Sequence, residues 1–177
     1  LSFKLNMPSK KAGTFAVWFT GLIDNYENEV PDVSEWETLW DTNDSWSRQR
    51  NCAVGINHTY RFRTGGTLHS SVAYTGSYRK LGVNNYDEQM TKTPGMDGRS
   101  SQWNVIISTQ HQHKFSKRYT MQNGFEHQHL DFHTWLDYIH VVAGPLYRVF
   151  DSEGNTGLTR LYSSHKVAFS SRLSTVA

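Results

Sequence analysis

Cysteine is nearly absent: Cys52 is the only one in 177 residues. That excludes an internal disulfide framework and leaves neither a CxxC redox pair nor a cysteine-based zinc site. Charge is scarce too. Asp, Glu, Lys and Arg make up 19% of the chain and leave a net charge of +2, too small to favour nucleic acid as a partner. No apolar run approaches the ~20 residues of a membrane-spanning helix, and no leader-peptide pattern opens the chain. Strands that cross a bilayer as part of a barrel carry a far weaker hydropathy signal, so a membrane setting stays open. The length suits one sizeable domain. The opening residues, "LSFKLNMP", lack an initiating Met and are already strand-like, so residues 1–177 are expected to be a segment of something longer.

What the chain does have is rings. Within a hydrophobic content of 37% there are nine Phe, nine Tyr and six Trp, a high aromatic share for a globular domain. The rings follow a period of two, the signature of a strand with unlike faces. In "NCAVGINHTYRF" one face carries Cys52, Val54, Ile56, His58, Tyr60 and Phe62, and the other carries Asn51, Ala53, Gly55, Asn57, Thr59 and Arg61. "TLHSSVAYTGSY" repeats the contrast, with Leu68, Val72, Tyr74 and Tyr78 against small polar residues. "TFAVWFTGLI" groups Phe15, Val17, Phe19 and Ile23, while Trp18 and Leu22 blur its second face. No stretch sustains a helical stripe.

A motif recurs along this pattern. "HTYRF" at 58–62, "HQHKF" at 111–115 and "HKVAF" at 165–169 repeat at intervals of 53 and 54 residues, which speaks of architecture before chemistry. Met7, Phe62, Phe115 and Phe169 are read as the same point in four successive units. Short basic turns follow, "PSKKA", "RTGG", "SKRY" and "SSR", and long polar loops are expected at about 25–48, 81–100 and 134–156. The four prolines, Pro8, Pro31, Pro94 and Pro145, are all expected to fall in these connections, as strand pairing would require. The expectation is an all-β, antiparallel up-and-down meander of about eight strands, the last ("LSTVA") truncated.

Either a shared protein core or lipid can cover such an apolar face. Strands of ~9–11 residues suit a tilted bilayer crossing. Turns sorted short on one side and long on the other are the pattern of outer-membrane barrels. His58, Tyr60 and Phe62, then His111, His113 and Phe115, then His165, Val167 and Phe169, enter successive turns on one face. Rings with an apolar body and a wet end suit the headgroup level. These nine residues therefore read as a membrane-interface belt, and the sheet as part of a transmembrane barrel. Two alternatives remain: a soluble, secreted glycan-binding β-sandwich, and a complete eight-stranded barrel.

The wording of several segments is more specific. "GTFAVWFTG", "WETLWD", "GINHTYRF", "TLHSSVAYTGS" and "HQHKFSKRYTMQNGFEH", in this order, resemble TonB-dependent receptors of Bacteroidetes outer membranes, of the group with a carboxypeptidase-like regulatory domain ahead of the plug. The resemblance runs over essentially the whole chain and implies that residues 1–177 belong to the middle of such a barrel. It implies a fold of roughly 22 strands around a plugged lumen, residence in the outer membrane of a Gram-negative cell, and lipid as a partner. It also implies TonB as a partner through an N-terminal part absent from these residues. The cargo would be a nutrient ligand: an iron or cobalamin chelate, an oligosaccharide or a peptide.

Other constellations carry less. His111, His113, His127, His129 and His133 crowd into 23 residues. Around a turn near 117–118, however, the first two lie opposite residues near 122–124, away from the others, and no metal site is expected. "STQH" and "YSSH" lack an orienting acid and no GxSxG occurs, so neither catalysis nor a cofactor is expected. "DSEGNTG" lacks the ligand alternation of an EF-hand. The acidic stretch 24–46 holds Trp36, Trp40 and Trp46. They either pack the loop or meet ligand, and Trp36 and Trp40 are expected to share one face of a short helical turn.

Overall fold

Because side chains alternate across a strand, the pairing register decides which residues share a face. The computed structural model describes residues 1–138, 145–169 and 174–176. In chain order its strands are β1 Ser2–Ser9, β2 Gly13–Asn28, β3 Asn43–Arg61, β4 Gly66–Tyr86, β5 Lys92–Lys114, β6 Tyr119–Tyr138, β7 Tyr147–Ala168 and β8 Ser174–Val176. Each pairs antiparallel with its sequence neighbours in one eight-stranded sheet, ordered β1 to β8. β1 and β8 are its edges, so the sheet is open.

The three short connections that are described fall where the turn residues predicted: after Ser9, Arg61 and Lys114. Gly65, at φ 89°, supplies the left-handed backbone that the turn after β3 needs. The fourth expected turn, "SSR", lies outside the described residues.

The long connections differ from expectation. β2 through β7 run 16 to 23 residues each, about twice the length of a bilayer crossing. They absorb most of what reads as loop, and two prolines expected in connections lie in strands: Pro8 near the end of the edge strand β1, and Pro94 in β5 beside the register shift at Val83/Asn84. Only 29–42 separate β2 from β3 and 87–91 separate β4 from β5, while 139–144, within the third connection, lie outside the described residues. Sequence alternation missed the extensions because both faces are polar there. The ladder still pairs Asp44 with Asn84, Arg48 with Lys80 and Lys80 with Arg99.

One row crosses the sheet as Phe3, Phe19, Val54, Tyr74 and Val105, and the next as Leu5, Val17, Ile56, Val72 and Ile107. No second layer covers this face. Among the described residues Ala16 is the only buried hydrophobic residue, and no side chain is fully buried, whereas Ile56 and Val72 are each 51% exposed. A sandwich would bury these rows against a facing sheet about 10 Å away; the described residues contain none.

Candidate functional site

The short-turn end of the apolar face carries a continuous run of rings. Phe15 stacks on His58 with centroids 4.4 Å apart, His58 lies 6.4 Å from Tyr60, and Tyr60 meets Phe62 edge-on at 4.9 Å. The run continues from Phe62 to His111 at 5.7 Å, His111 to His113 at 6.1 Å and His113 to Phe115 at 4.4 Å. It ends through Phe115 and Tyr119 at 5.2 Å and Tyr119 and His165 at 6.0 Å. Five strands, β2, β3, β5, β6 and β7, contribute, and the run passes β4 through the Phe62–His111 contact. Periodicity placed the histidine motifs on one face; Phe15, which opens the run, and Tyr119, which links Phe115 to His165, belong to no motif and were not expected in it. Val167 pairs with Tyr119, and Phe169 is exposed beyond the end of β7. Met7 departs from the expected equivalence. It lies inside β1 opposite Phe15, whereas Phe62 and Phe115 follow the last residues of their strands.

Two of these histidines hydrogen-bond through their ring nitrogens. His58 Nε2–H donates to the Ala12 carbonyl at 2.7 Å, and His165 bonds the Tyr119 hydroxyl at 2.8 Å and the Ser163 hydroxyl at 3.0 Å.

The belt slips steadily against the hydrogen-bond register. Leu68 pairs with both Tyr60 and His111, so His111 is level with Tyr60 and not with His58. Met121 pairs with both His113 and His165, so His165 is level with His113. Each repetition is displaced by two residues, in the same direction, over two strands. One residue per strand, at ~3.3 Å rise and ~4.8 Å spacing, corresponds to a tilt of about 35°. A level belt on tilted barrel strands must slip by about this amount, since barrel strands tilt ~35–45°. From Cys52 to Phe62, ten residue steps at that tilt span about 27 Å, close to the ~25 Å apolar band of outer-membrane barrels.

The opposite face is small and polar, and its groups bond one another across strands. Trp18 Nε1–H donates to Asn57 at 3.4 Å, the Ser71 and Ser108 hydroxyls lie 2.7 Å apart, and Arg160 meets Glu126 at 2.7 Å. Trp18 lies over Gly55, where an added Cβ would sit 2.5 Å from its ring. That explains the tryptophan on an otherwise small face.

At the long-connection end the three tryptophans separate. Trp36 follows a 3-10 turn, Val33–Glu35, and donates its indole N–H to the Pro31 carbonyl at 3.0 Å. Trp40 sits in a second turn, Leu39–Thr42, and is 83% exposed. The expected single helical turn with both on one face is absent, because Glu37 and Thr38 break it: their backbone N–H groups donate to the Asp41 carboxylate at 3.0 and 2.7 Å. Those bonds hold the Asp41 carboxyl below its ordinary range. Trp46 lies within β3, with Arg48 and Lys80 over its ring at 5.7 and 5.4 Å.

Asp44 ties this end together. It accepts from Asn84, from the Tyr86 hydroxyl at 2.8 Å and from Lys92 Nζ at 3.0 Å. Burial pushes its carboxyl up, but the bonds from Asn84, Lys92 and Tyr86 outweigh burial and hold it below the usual value. The histidine clusters do not meet: His111 pairs with Asn123, while His127 and His129 pair with Ile107 and Val105. Among the described residues no group of three metal-ligating side chains occurs.

No family model and no curated protein matches the chain. Among solved structures, the siderophore receptor PiuA from Acinetobacter baumannii is similar over 96% of this chain, with 9% identity and a TM-score of 0.49. The chain spans 30% of that receptor's length. At this level the likeness carries no argument, and the reading rests on the geometry above.

Proposed function

We propose that residues 1–177 form a segment of the barrel wall of a TonB-dependent outer-membrane transporter. In the whole protein the wall surrounds a plug, TonB drives import, and the cargo is a chelate, an oligosaccharide or a peptide. This segment contributes wall and loops and performs no covalent chemistry. Trp36, Trp40 and Trp46 are the ligand-contact candidates, because two stand in an acidic loop and Trp40 is bare to solvent.

The observation that carries the reading is the level belt on a sheet without a core. Uncovered rows of Leu, Ile, Val and Phe burden a soluble protein, since exposed apolar surface costs ~25 cal/mol per Å² relative to burial. In lipid the same rows are solvated, while the polar face lines the interior. His58, Tyr60, Phe62, His111, His113, Phe115, His165, Val167 and Phe169 then lie at the headgroup level.

The test is bromolipid quenching of a bimane label on single cysteines, in a Cys52→Ser background refolded into vesicles. Ile56→Cys and Val72→Cys should be quenched, and Thr75→Cys and Asn57→Cys spared. A chain that folds as a monomer in plain buffer, or quenching without alternation, would sink the reading. Accumulation of ferric chelates, cobalamin, oligosaccharides and peptides by cells with and without TonB tests transport by the whole protein.

A further inference from the structure

At the upper edge of the apolar band the outward face is hollowed. A groove of about 640 Å³ is walled by Phe19, Tyr74, Tyr78 and Trp103, with Gly76 and Arg50 also lining it. Immediately beyond lies a row of cations on three adjacent strands: Arg48 opposite Lys80, and Lys80 opposite Arg99. Like charges directly opposite are unfavourable, and strand spacing of ~4.8 Å gathers all three within about 10 Å. Arg48 has Glu27 at 3.8 Å, both side chains being mostly exposed. Among the described residues, Lys80, Arg99 and Arg50 have no carboxylate partner. On the same face Asp97, opposite Gly82, and Asp131, opposite Trp103, pair with no cation among the described residues, while Asp137 and Asp151 are held by Arg148.

Groove and row are joined through rings. Arg99 lies over Tyr78 at 5.0 Å, and Tyr78 is itself a wall of the groove. The pocket is apolar where acyl chains would lie and positive where a headgroup would stand.

We propose that this groove holds one acyl lipid with a phosphorylated headgroup, its chains against Phe19, Tyr74 and Trp103 and its phosphate on Arg48, Lys80 and Arg99. The proposal rests on the membrane-wall reading above. Arginine suits the role because its planar fork binds phosphate oxygens in pairs and is weakly hydrated. A phosphate there relieves the mutual repulsion of the row, and the attraction weakens with added salt.

Native mass spectrometry of the delipidated chain in detergent tests the site, with phosphatidylglycerol and phosphatidylcholine of identical chains as probes. One phosphatidylglycerol should be retained at a concentration at least tenfold below that needed for phosphatidylcholine. The triple variant Arg48→Gln/Lys80→Gln/Arg99→Gln should abolish the preference. Gly76→Val, whose Cβ would meet Cys52 Sγ at 3.3 Å, should weaken retention of both lipids by narrowing the groove. Circular dichroism checks that each variant is folded.

Equal retention of the two lipids would overturn the site while leaving bromolipid quenching, and the wall reading, intact. Full competition by glycerol 1-phosphate would reduce it to an anion site without an acyl component, also against the proposal. A dimer mass that excludes lipid would assign the face to a second copy. A chain that folds without detergent would instead fail the wall reading itself.

Discussion

The outward face has two halves of different chemistry. On β3, β4 and β5 the middle of the band is Val54, Ile56, Val72, Tyr74, Val105 and Ile107. On β6 and β7, across the same register, stand His127, His129, Thr159 and Gly157. Ile107 and His127 are direct partners, yet one is a hydrocarbon and the other an amphoteric ring. The second half manages its polar groups by pairing them. His127 Nδ1 and the Thr159 hydroxyl lie 2.8 Å apart, Ser163 donates to Asn123 at 2.7 Å, and His129 leans on Trp103 at 5.5 Å. Under the proposed wall reading, a surface facing lipid need not be apolar at every position, provided its polar groups are paired within the sheet.

The largest effect separates the halves directly. Ile107→Arg places a charge in the middle of the hydrocarbon half and should cost about 2–4 kcal/mol in vesicles, by the depth dependence known for barrel faces. His127→Arg, one strand away, should cost less than half of that, because its surroundings are already polar. Urea titration of the refolded variants reads both. Equal costs would mean that the halves share one environment.

The next contrast is between the ionic clusters at the long-connection end. Asp44, with a side chain only 15% exposed, serves β3, β4 and β5. Asp151, 45% exposed, accepts from His133 and Arg148. Asp44→Asn should destabilise by about 2 kcal/mol, the usual worth of bonds to a charged acceptor, while Asp151→Asn should shift the urea midpoint much less. The Asp44 carboxyl is held below 3.8, so its contribution is complete above that value and is lost as pH falls through the lowered one. Acid titration of stability should therefore be steeper for the parent than for Asp44→Asn below about pH 4.

How much of this was legible beforehand follows from where the two faces differ. Where Val54 and Ile56 alternate with Ala53 and Gly55, period two fixed strand, face and turn, and the His-x-x-x-Phe repeat located most of the ring run. Around Asp44, Arg48, Asn84 and Arg99 both faces are polar, and these positions read as loop although they lie in β3, β4 and β5. The continuation of β3 to β5 is decided by cross-strand hydrogen bonding, which no single segment displays. The slip of two residues per hairpin was latent in the motif spacing, but it needs the register of the intervening strands to be read. The separation of Trp36 from Trp40 depends on Asp41 bonding backward to Glu37 and Thr38, a local bond that spacing alone does not reveal.

The smallest expected effect is the most discriminating for the polar half. His127→Leu alone removes the partner of the Thr159 hydroxyl and should cost about 1 kcal/mol. His127→Leu with Thr159→Val removes both groups together. If β6 and β7 face lipid, the double variant exchanges a satisfied polar pair for hydrocarbon in hydrocarbon, and its stability should return to within about 0.5 kcal/mol of the parent, or exceed it. If another protein surface covers these strands with polar groups of its own, the double variant strands those groups and costs more than either single change. The sign of the coupling between His127 and Thr159, measured in vesicles, thus decides whether both halves meet the same solvent.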